Sequence, residues 1–460
     1  MIRLFRVFIP ASVVALLLSE ILLVLACYFA ASTFTLNYDP VFYLFTENNY
    51  WKVAVAAGCI ILGLYFQDLY TELRITSRIL LVQQVCLAVG CALLVMAFLG
   101  YLKTDFVLGR WLMIVGSVGV IILLPSWRVF FWKYIIGTLR SERVLLIGNS
   151  SILGEVVSRL NEKPEFGYSI LGYLCEDAPC DFPTPCLGTI DDVRKVCAEY
   201  SPTRVVVGMA ERRNRLPVQA LLEIRFTGVI IEDAADTYEV AMRRVCSRKI
   251  QPSQLIFSSM LGPRPHAIAI QNFYSLLIGL FGLIVFSPLM LLTAIAVKLS
   301  SPGPILYRQR RVGSNGHIFT LYKFRSMYVD AEARTGAVWA SVDDPRVTPI
   351  GRWLRRLRLD ELPQFWNVVK GDMAIVGPRP ERPEFVELLA QQIPYYRQRL
   401  AVKPGITGWA QINHKYGDTE LDAMIKLEYD LYYIKNVAPA LDFYIIFHTI
   451  KVMLLSRGAQ

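Results

Sequence analysis

Residues 349–380 read PIGRWLRRLRLDELPQFWNVVKGDMAIVGPRP. Ile350, Trp353, Leu354 and Leu357 recur at helical spacing, so the first segment has an apolar face. Arg352, Arg355, Arg356 and Arg358 lie mostly around the rest, the composition of a helix resting on an anionic membrane surface. The adjacent acids Asp360 and Glu361 follow. Asp360 stands where an N-cap acid belongs, Pro363 falls within the first turn, and Gly371 after Lys370 marks a stop. The stretch closes on Pro378-Arg379-Pro380. Two carboxylates at a helix start, with guanidiniums one or two turns upstream, can hold a metal and a polyphosphate together. A capped surface helix with ordinary ion pairs has the same composition, so the rest of the chain decides.

The chain has 460 residues, room for two or three domains, and 54% of them are hydrophobic, too many for an ordinary soluble enzyme. A net charge of +10 on such a chain points to anionic lipid and phosphorylated substrates. Nucleic acid is disfavoured as a partner because the apolar blocks are of membrane length. The nine cysteines show no paired spacing, and Cys175, Cys180 and Cys186 lack a neighbouring His or a CxxC. That disfavours zinc and fits reduced cytosolic thiols.

Outward from the acid pair, the N-terminal part, residues 1–138, holds apolar blocks at about Phe8–Ala31, Trp51–Phe66, Ile79–Tyr101 and Trp111–Phe131. Arg3 and Arg6 precede the first, Arg74 and Arg78 separate the second and third, and Arg128, Lys133, Arg140 and Arg143 follow the fourth. The positive-inside rule predicts a four-helix membrane domain with its N-terminus in the cytoplasm. Residues 139–250 then alternate strand and helix signals, with strands at Arg143–Gly148, Arg204–Gly208 and Val229–Glu232, an α/β Rossmann-like pattern. Gly148 and Gly154 keep the outer glycines of a dinucleotide loop, but Ser150 stands between them. A structural domain is the favoured reading and a nucleotide or sugar-nucleotide regulatory site the alternative.

After a basic linker at 251–272, the block Phe273–Leu299 has Ser287-Pro288 near its middle and basic residues on both sides. If both flanks stay inside, the block must enter the bilayer and return. Pro288 would supply the break, with a serine hydroxyl satisfying the freed carbonyl: a re-entrant hairpin. The last domain, 273–460, then reads as a monotopic α-rich α+β unit. A turn from Ser301 leads into a basic strand through Gly313, and Phe319–Met327 is a second strand, with Lys323 and Arg325 on one face at period two. Arg308, Arg310 and Arg311 suit lipid headgroups as well as substrate. Lys403–Trp409 is a Gly/Pro turn followed by Gln411, Asn413 and Tyr416, and Trp409 is placed to stack on a base or sit in the interface. Leu421–Leu455 reads as helical, its aromatic density suiting an interface-lying helix. The scattered His266, His317, His414 and His448 offer no convincing base or ligand.

SPGPILYRQRRVG, KFRSM, LRRLRLDELPQFWNVVKGDM, VGPRP and KPGITGWAQIN stand in one order over Ser301–Asn413. Together they resemble the bacterial polyprenyl-phosphate sugar-1-phosphate transferases, and the four-span front, Rossmann-like middle and Ser-Pro hairpin look like the large members of that family. The run from Pro378 to Gly458 is similar to a subgroup linked with exosortase-type exopolysaccharide systems. The resemblance implies transfer of a hexose-1-phosphate from a UDP-sugar to undecaprenyl phosphate at the cytoplasmic face of the bacterial inner membrane, starting exopolysaccharide or capsule synthesis. By matching motif, Asp360 would be the nucleophile that forms a covalent phosphosugar, and Glu361 its partner. Mg²⁺ would be held through Asp360 and Glu361. Lys323, Arg325, Arg355 and Arg379, the last between Pro378 and Pro380, would grip phosphate. The anionic bilayer and a second copy of the chain complete the expected partners. Two rivals stand beside this reading. A membrane-anchored NDP-sugar dehydratase or epimerase would need an intact glycine loop and a Tyr-x-x-x-Lys pair, neither of which stands between Arg143 and Lys249. A polysaccharide-export scaffold or sensor would leave the acid pair and its arginines without a task.

Overall fold

In the computed structural model the chain is described except for residues 1, 5–6, 36–38, 40, 44–48, 72, 76, 104–107, 137–141, 177–181, 210–214, 250–261, 263, 330, 332–343, 415–418 and 455–460. Most of the expected linker, with Tyr416 and Arg140, lies outside the described residues. Two compact units result: Phe8–Ala234 with Met1–Arg3, and Ala235–Gln460 with Leu4–Val7. Residues 235–249, grouped with the sheet by the strand–helix alternation, pack in the second unit.

The first unit begins with four apolar helices, α1 Ala11–Thr35, α2 Tyr50–Phe66, α3 Arg78–Leu102 and α4 Arg110–Phe130. Each covers an expected block to within a few residues, because a run of side chains apolar on every side leaves only a helix to satisfy its backbone in lipid. Among the described residues four helices are long and apolar enough to cross a membrane: α1, α3, α4 with its extension to Ile135, and the helix Pro265–Ser300 of the second unit. At 17 residues α2 is shorter. Packing among α1–α4 buries Tyr28, Ile60, Leu64, Val85, Val120 and Leu124. Glu20, fully buried in α1, is neutralised by Arg128 of α4 at 2.6 Å and accepts a hydrogen bond from Tyr70 at 2.6 Å.

Five parallel strands follow: β1 Glu142–Ile147, β2 Tyr168–Cys175, β3 Cys186–Thr189, β4 Arg204–Val207 and β5 Ile230–Asp233, in the order β3-β2-β1-β4-β5. That is the doubly wound order, whose ligand crevice opens where the order reverses, between the C-terminal ends of β1 and β4. Here Leu153 packs against that opening. Gly148 ends β1 at φ +92° against Met209 and Gly208, and a Cβ on Gly208 would lie 2.3 Å from the Leu153 side chain. Leu153 and Met209 are buried. Leu153 occupies the position where the third glycine of a strict dinucleotide loop belongs, and Gly154 falls one residue late. Ser150 heads helix α5 (Ser151–Glu162) with its hydroxyl buried and, among the described residues, without a hydrogen-bond partner.

In the second unit the block with Ser287-Pro288 is one helix, α6, running from Pro265 to Ser300 with Pro288 inside it. The helical hydrogen bonding continues past Pro288, and the reason is local. Pro288 leaves the Ile284 carbonyl without its N–H donor, and the Ser287 hydroxyl donates to that carbonyl at 2.8 Å. Both halves of α6 rest on the rest of the unit. Gln271 and Ser275 donate to or accept from the backbone of Val376 and Ile375, and Gly279 and Gly282 let Val368 and Phe365 approach so closely that a Cβ would clash. Val297 closes a core with Phe324 and Leu354. The opposite side presents Phe281, Ile284, Leu291, Leu292 and Leu299 exposed.

Beyond α6, β6 (Leu306–Val312) and β7 (Ile318–Phe324) form an antiparallel hairpin, and β8 (Ala374–Val376) pairs in parallel with β9 (Gly405–Thr407). The expected C-terminal helix is two, α9 (Glu420–Asn436) and α10 (Pro439–Leu454). Their aromatic residues divide: Tyr432 and Tyr433 are core, whereas Phe443 and Phe447 are exposed. Trp409 takes neither expected role. It is buried, stacked on Tyr432 with ring centroids 5.5 Å apart, and its indole N–H donates to the Arg243 carbonyl at 2.9 Å.

Candidate active site

The opening stretch folds as helix α7 (Pro349–Arg356), a tight turn Leu359–Glu361, and helix α8 (Gln364–Lys370). Thr348 caps α7 by accepting from the Gly351 N–H at 3.0 Å. Leu354 faces the core, whereas Trp353 and Leu357 of the same apolar stripe are 62% and 48% exposed. Arg358, in the left-handed region at φ +56°, ends α7 and turns the chain so that both acids point inward. Asp360 is therefore not the N-cap: Pro363 holds that position without any side-chain cap, because the turn inserts three residues before α8 begins. Gly371 does end α8, at φ +90°. Asn367, fully buried, pins α8 to β7 by accepting from the Tyr322 N–H at 3.1 Å and donating to the Thr320 carbonyl at 2.7 Å. That sets Lys323, next along the strand, against the acid pair.

The two carboxylates have opposite circumstances. Glu361 is engaged by three cations: Lys323 at 2.7 Å, Arg379 at 3.6 Å and Arg358 at 3.8 Å. Burial would raise its pKa, but Lys323, Arg379 and Arg358 overcome it and hold the group well below the ordinary glutamate range. Asp360, 7% exposed, forms no hydrogen bond or close ion pair among the described residues. Burial pushes its carboxyl up to about 6, and the negative neighbour Glu361 adds to that against the pull of Lys323, Arg355 and Arg358. One acid is locked. The other is free.

Both line a cavity of about 1140 Å³. Twelve Lys and Arg residues line it against four Asp and Glu, a field that draws polyanions. Of the residues singled out in sequence, Lys323, Arg325, Arg355, Asp360, Glu361 and Arg379 all reach this wall. Pro378 and Pro380 line a small adjoining pocket with Arg379 rather than the cavity itself. Arg355 donates from Nε to the Ser326 hydroxyl at 3.1 Å. Arg325 is largely committed, since its Nη atoms donate to the carbonyls of Pro302 at 2.9 Å and Ser301 at 2.7 Å. Ser287 and Pro288 lie on α6 and do not line the cavity. Arg308 and Arg311 line the cavity too, and Arg310 is exposed. Arg399, Asp430 and Lys426 on this wall were not singled out in sequence, Gln411 was named without a role, and His414, paired with Asp422 at 3.1 Å, was set aside. Lys426 and Asp430 carried a usable signal, since i, i+4 spacing puts them on one face of α9.

Among the described residues no cluster of three His, Cys, Asp or Glu side chains could cage a metal. What the site offers is one buried carboxylate with its lone pairs unspent, beside a cationic cavity. That donor set fits magnesium, which takes one or two carboxylates and completes its shell with water and substrate phosphate oxygens.

The sequence has counterparts in known proteins. Residues 265–456 match the family described as bacterial sugar transferase, and residues 65–213 match one described as a CoA-binding domain. A UDP-glucose:undecaprenyl-phosphate glucose-1-phosphate transferase of Xanthomonas campestris pv. campestris is 34% identical over 332 residues, 69% of this chain and 68% of that one. The chain belongs to the polyprenyl-phosphate sugar-1-phosphate transferase family. A UDP-N-acetylgalactosamine-undecaprenyl-phosphate N-acetylgalactosaminephosphotransferase of Aeromonas hydrophila is 47% identical over 198 residues, 43% of this chain and 47% of the relative. An undecaprenyl-phosphate glucose phosphotransferase of Komagataeibacter xylinus is 47% identical over 182 residues, 38% of this chain and 34% of the relative. The chain thus spans about half the length of the second of these relatives and a third of the last. Family membership displaces the dehydratase or epimerase reading.

Proposed function

We propose that this transferase moves a hexose-1-phosphate from a UDP-sugar to undecaprenyl phosphate in two displacements through Asp360. The observation that carries the reading is the contrast within the acid pair, a free buried carboxylate beside one locked by Lys323 and Arg379. An Asp360 oxygen would attack the phosphorus that bears the sugar. The bond from that phosphorus to the bridging oxygen breaks, and the electron pair leaves on UMP. An undecaprenyl-phosphate oxygen then attacks the same phosphorus and Asp360 departs as carboxylate, giving the lipid diphosphosugar. Lys323 and Arg379 orient Glu361 and present positive charge to the transferring group, and Arg355 and Arg358 extend that field. Magnesium, held by Asp360 and the substrate's phosphate oxygens, would supply further charge neutralisation.

The acceptor explains the apolar exterior of the second unit. Its phosphate sits at headgroup level, so the cavity must be held there, and α6 with the exposed Trp353 and Leu357 supplies the anchor. Because both halves of α6 rest on one unit, we take it to dip into the bilayer and return to the cytoplasmic face of the inner membrane, bending at Pro288. Labelling from the periplasm of a single cysteine placed at either Arg264 or Pro302 would refute that topology.

The activity is tested with membranes carrying the protein, undecaprenyl phosphate, and UDP-glucose, UDP-galactose or their N-acetyl forms. The expected result is UMP release with a lipid diphosphosugar, stopped by chelating magnesium. No UMP from any of the four sugars would sink the proposal.

A further inference from the structure

Arg379 reaches Glu361 from the turn Pro378–Glu381, and that turn is held from outside through its carbonyls. The Gly405 N–H donates to Pro378 at 3.0 Å, Arg311 Nη1 to Pro380 at 2.9 Å, and Arg399 Nη2 to Arg379 itself at 3.1 Å. Arg399 is the most constrained of these donors. Its Nε and Nη2 meet Asp430 Oδ2 at 3.0 and 2.8 Å, and its Nη1 donates to the Tyr396 hydroxyl at 2.8 Å. Both members of the pair are buried, Arg399 at 6% and Asp430 at 1% exposure.

A buried ion pair is a weak source of stability, because desolvating two charges offsets most of their attraction. What a guanidinium adds is direction. Its planar fork fixes the bearing of each donor, so anchoring Nε and Nη2 on Asp430 and Nη1 on Tyr396 leaves the remaining Nη2 hydrogen aimed one way, at the Arg379 carbonyl. Fixing that carbonyl fixes the plane from which the Arg379 side chain departs toward Glu361. A lysine could keep the charge but not the bearing.

We propose that Arg399 and Asp430 form a positioning pair that acts through Arg379, resting on the reading above in which Arg379 serves the transferring phosphate. The pair joins α9 to the acid pair by one continuous path: Asp430, Arg399, the Arg379 backbone, the Arg379 side chain, Glu361.

The test is a double-mutant cycle on the full chain in membranes, with Arg399→Lys made in the native chain and in Arg379→Lys. Because a misplaced clamp costs more than the contact that holds it, Arg399→Lys should lower kcat/KM for the UDP-sugar by about tenfold or more in the native chain. In the Arg379→Lys chain it should lower it by no more than about twofold, since nothing remains for it to position. The affinity for UMP, read in the same four proteins, should show the same collapse and covers a background with little turnover. Asp430→Asn, close in shape, repeats the cycle if Arg399→Lys does not accumulate as folded protein. Equal losses in both backgrounds would overturn the proposal and leave the pair a structural one. Native protein that releases no UMP would instead overturn the proposed function, so the two failures are distinguishable.

Discussion

Two buried aspartates of the second unit, Asp360 and Asp442, make a controlled comparison. Asp442 is fully buried and fully used: Gln271 Nε2 donates to Oδ2 at 2.7 Å, the Tyr433 hydroxyl to Oδ1 at 2.8 Å, and the Tyr274 hydroxyl also to Oδ2. The knot ties α6 to α10, and its polar capacity is spent on structure. Asp360 is nearly as buried but carries no such bonds among the described residues, and it faces a large cationic cavity. Burial raises the pKa of both. What separates a structural acid from a reactive one is therefore neither depth nor titration but unspent lone pairs with room beside them. The sheet crevice of the first unit makes the same point in reverse, since its nucleotide-type topology has the Leu153 side chain packed against Gly208 where a strict dinucleotide loop has glycine.

The comparison breaks most visibly at the acid pair. Asp360→Ala should reduce UMP release by about 10³-fold or more, as losing a nucleophile does, while the protein stays folded. Glu361→Gln keeps the nucleophile but loosens Lys323 and Arg379, and should cost about 10²-fold. Equal losses in the two variants would erase the distinction between the free and the locked carboxylate. At the crevice the expected effect lies in stability. Leu153→Ala should destabilise the sheet by about 2–4 kcal/mol in thermal or denaturant unfolding. UMP release per folded molecule should not change, and a parallel loss would give the crevice a part in the reaction.

The smallest effect is the pH response of the knot. Burial lifts the Asp442 carboxyl up to about 6, against the three donors, from an ordinary 3.8. A raised acid binds its proton more tightly folded than unfolded, so its contribution is full at pH values below the ordinary value. It is lost as pH rises to about 6 and flat above that. The unit should be more stable at pH 5 than at pH 7 by on the order of 1–2 kcal/mol relative to Asp442→Asn, which does not titrate. Parallel stability curves for the two proteins between pH 4.5 and 7.5 would remove Asp442 as the cause.

Much of this architecture could be read from the chain because it is written in local pattern. The apolar blocks became α1–α4 nearly residue for residue, and RVLLIG, RVVVG and VIIE became β1, β4 and β5. β2 and β3 escaped notice: Gly172 and Gly188 interrupt them, and their hydrophobic alternation is broken where the pairing register shifts. The acid pair and Lys323, Arg355 and Arg379 were legible as charged types in an ordered set of motifs. Which acid is free was not, since that depends on Lys323 crossing from β7. Arg399 and Asp430 are 31 residues apart and meet only through the fold. Trp409 was misread because its partners, Tyr432 and the Arg243 carbonyl, come from distant segments, and its composition alone fits a surface as well as a core. The N-cap reading of Asp360 failed on a single left-handed residue, Arg358, that no composition rule anticipates.

The most direct test of the central claim is to give the native protein a UDP-sugar and magnesium with no lipid phosphate present. A covalent route through Asp360 gives a burst of up to one UMP per active site and a phosphosugar on the peptide that contains Asp360, with neither in Asp360→Ala. UMP release that waits for undecaprenyl phosphate, or a label on any other residue, would contradict it.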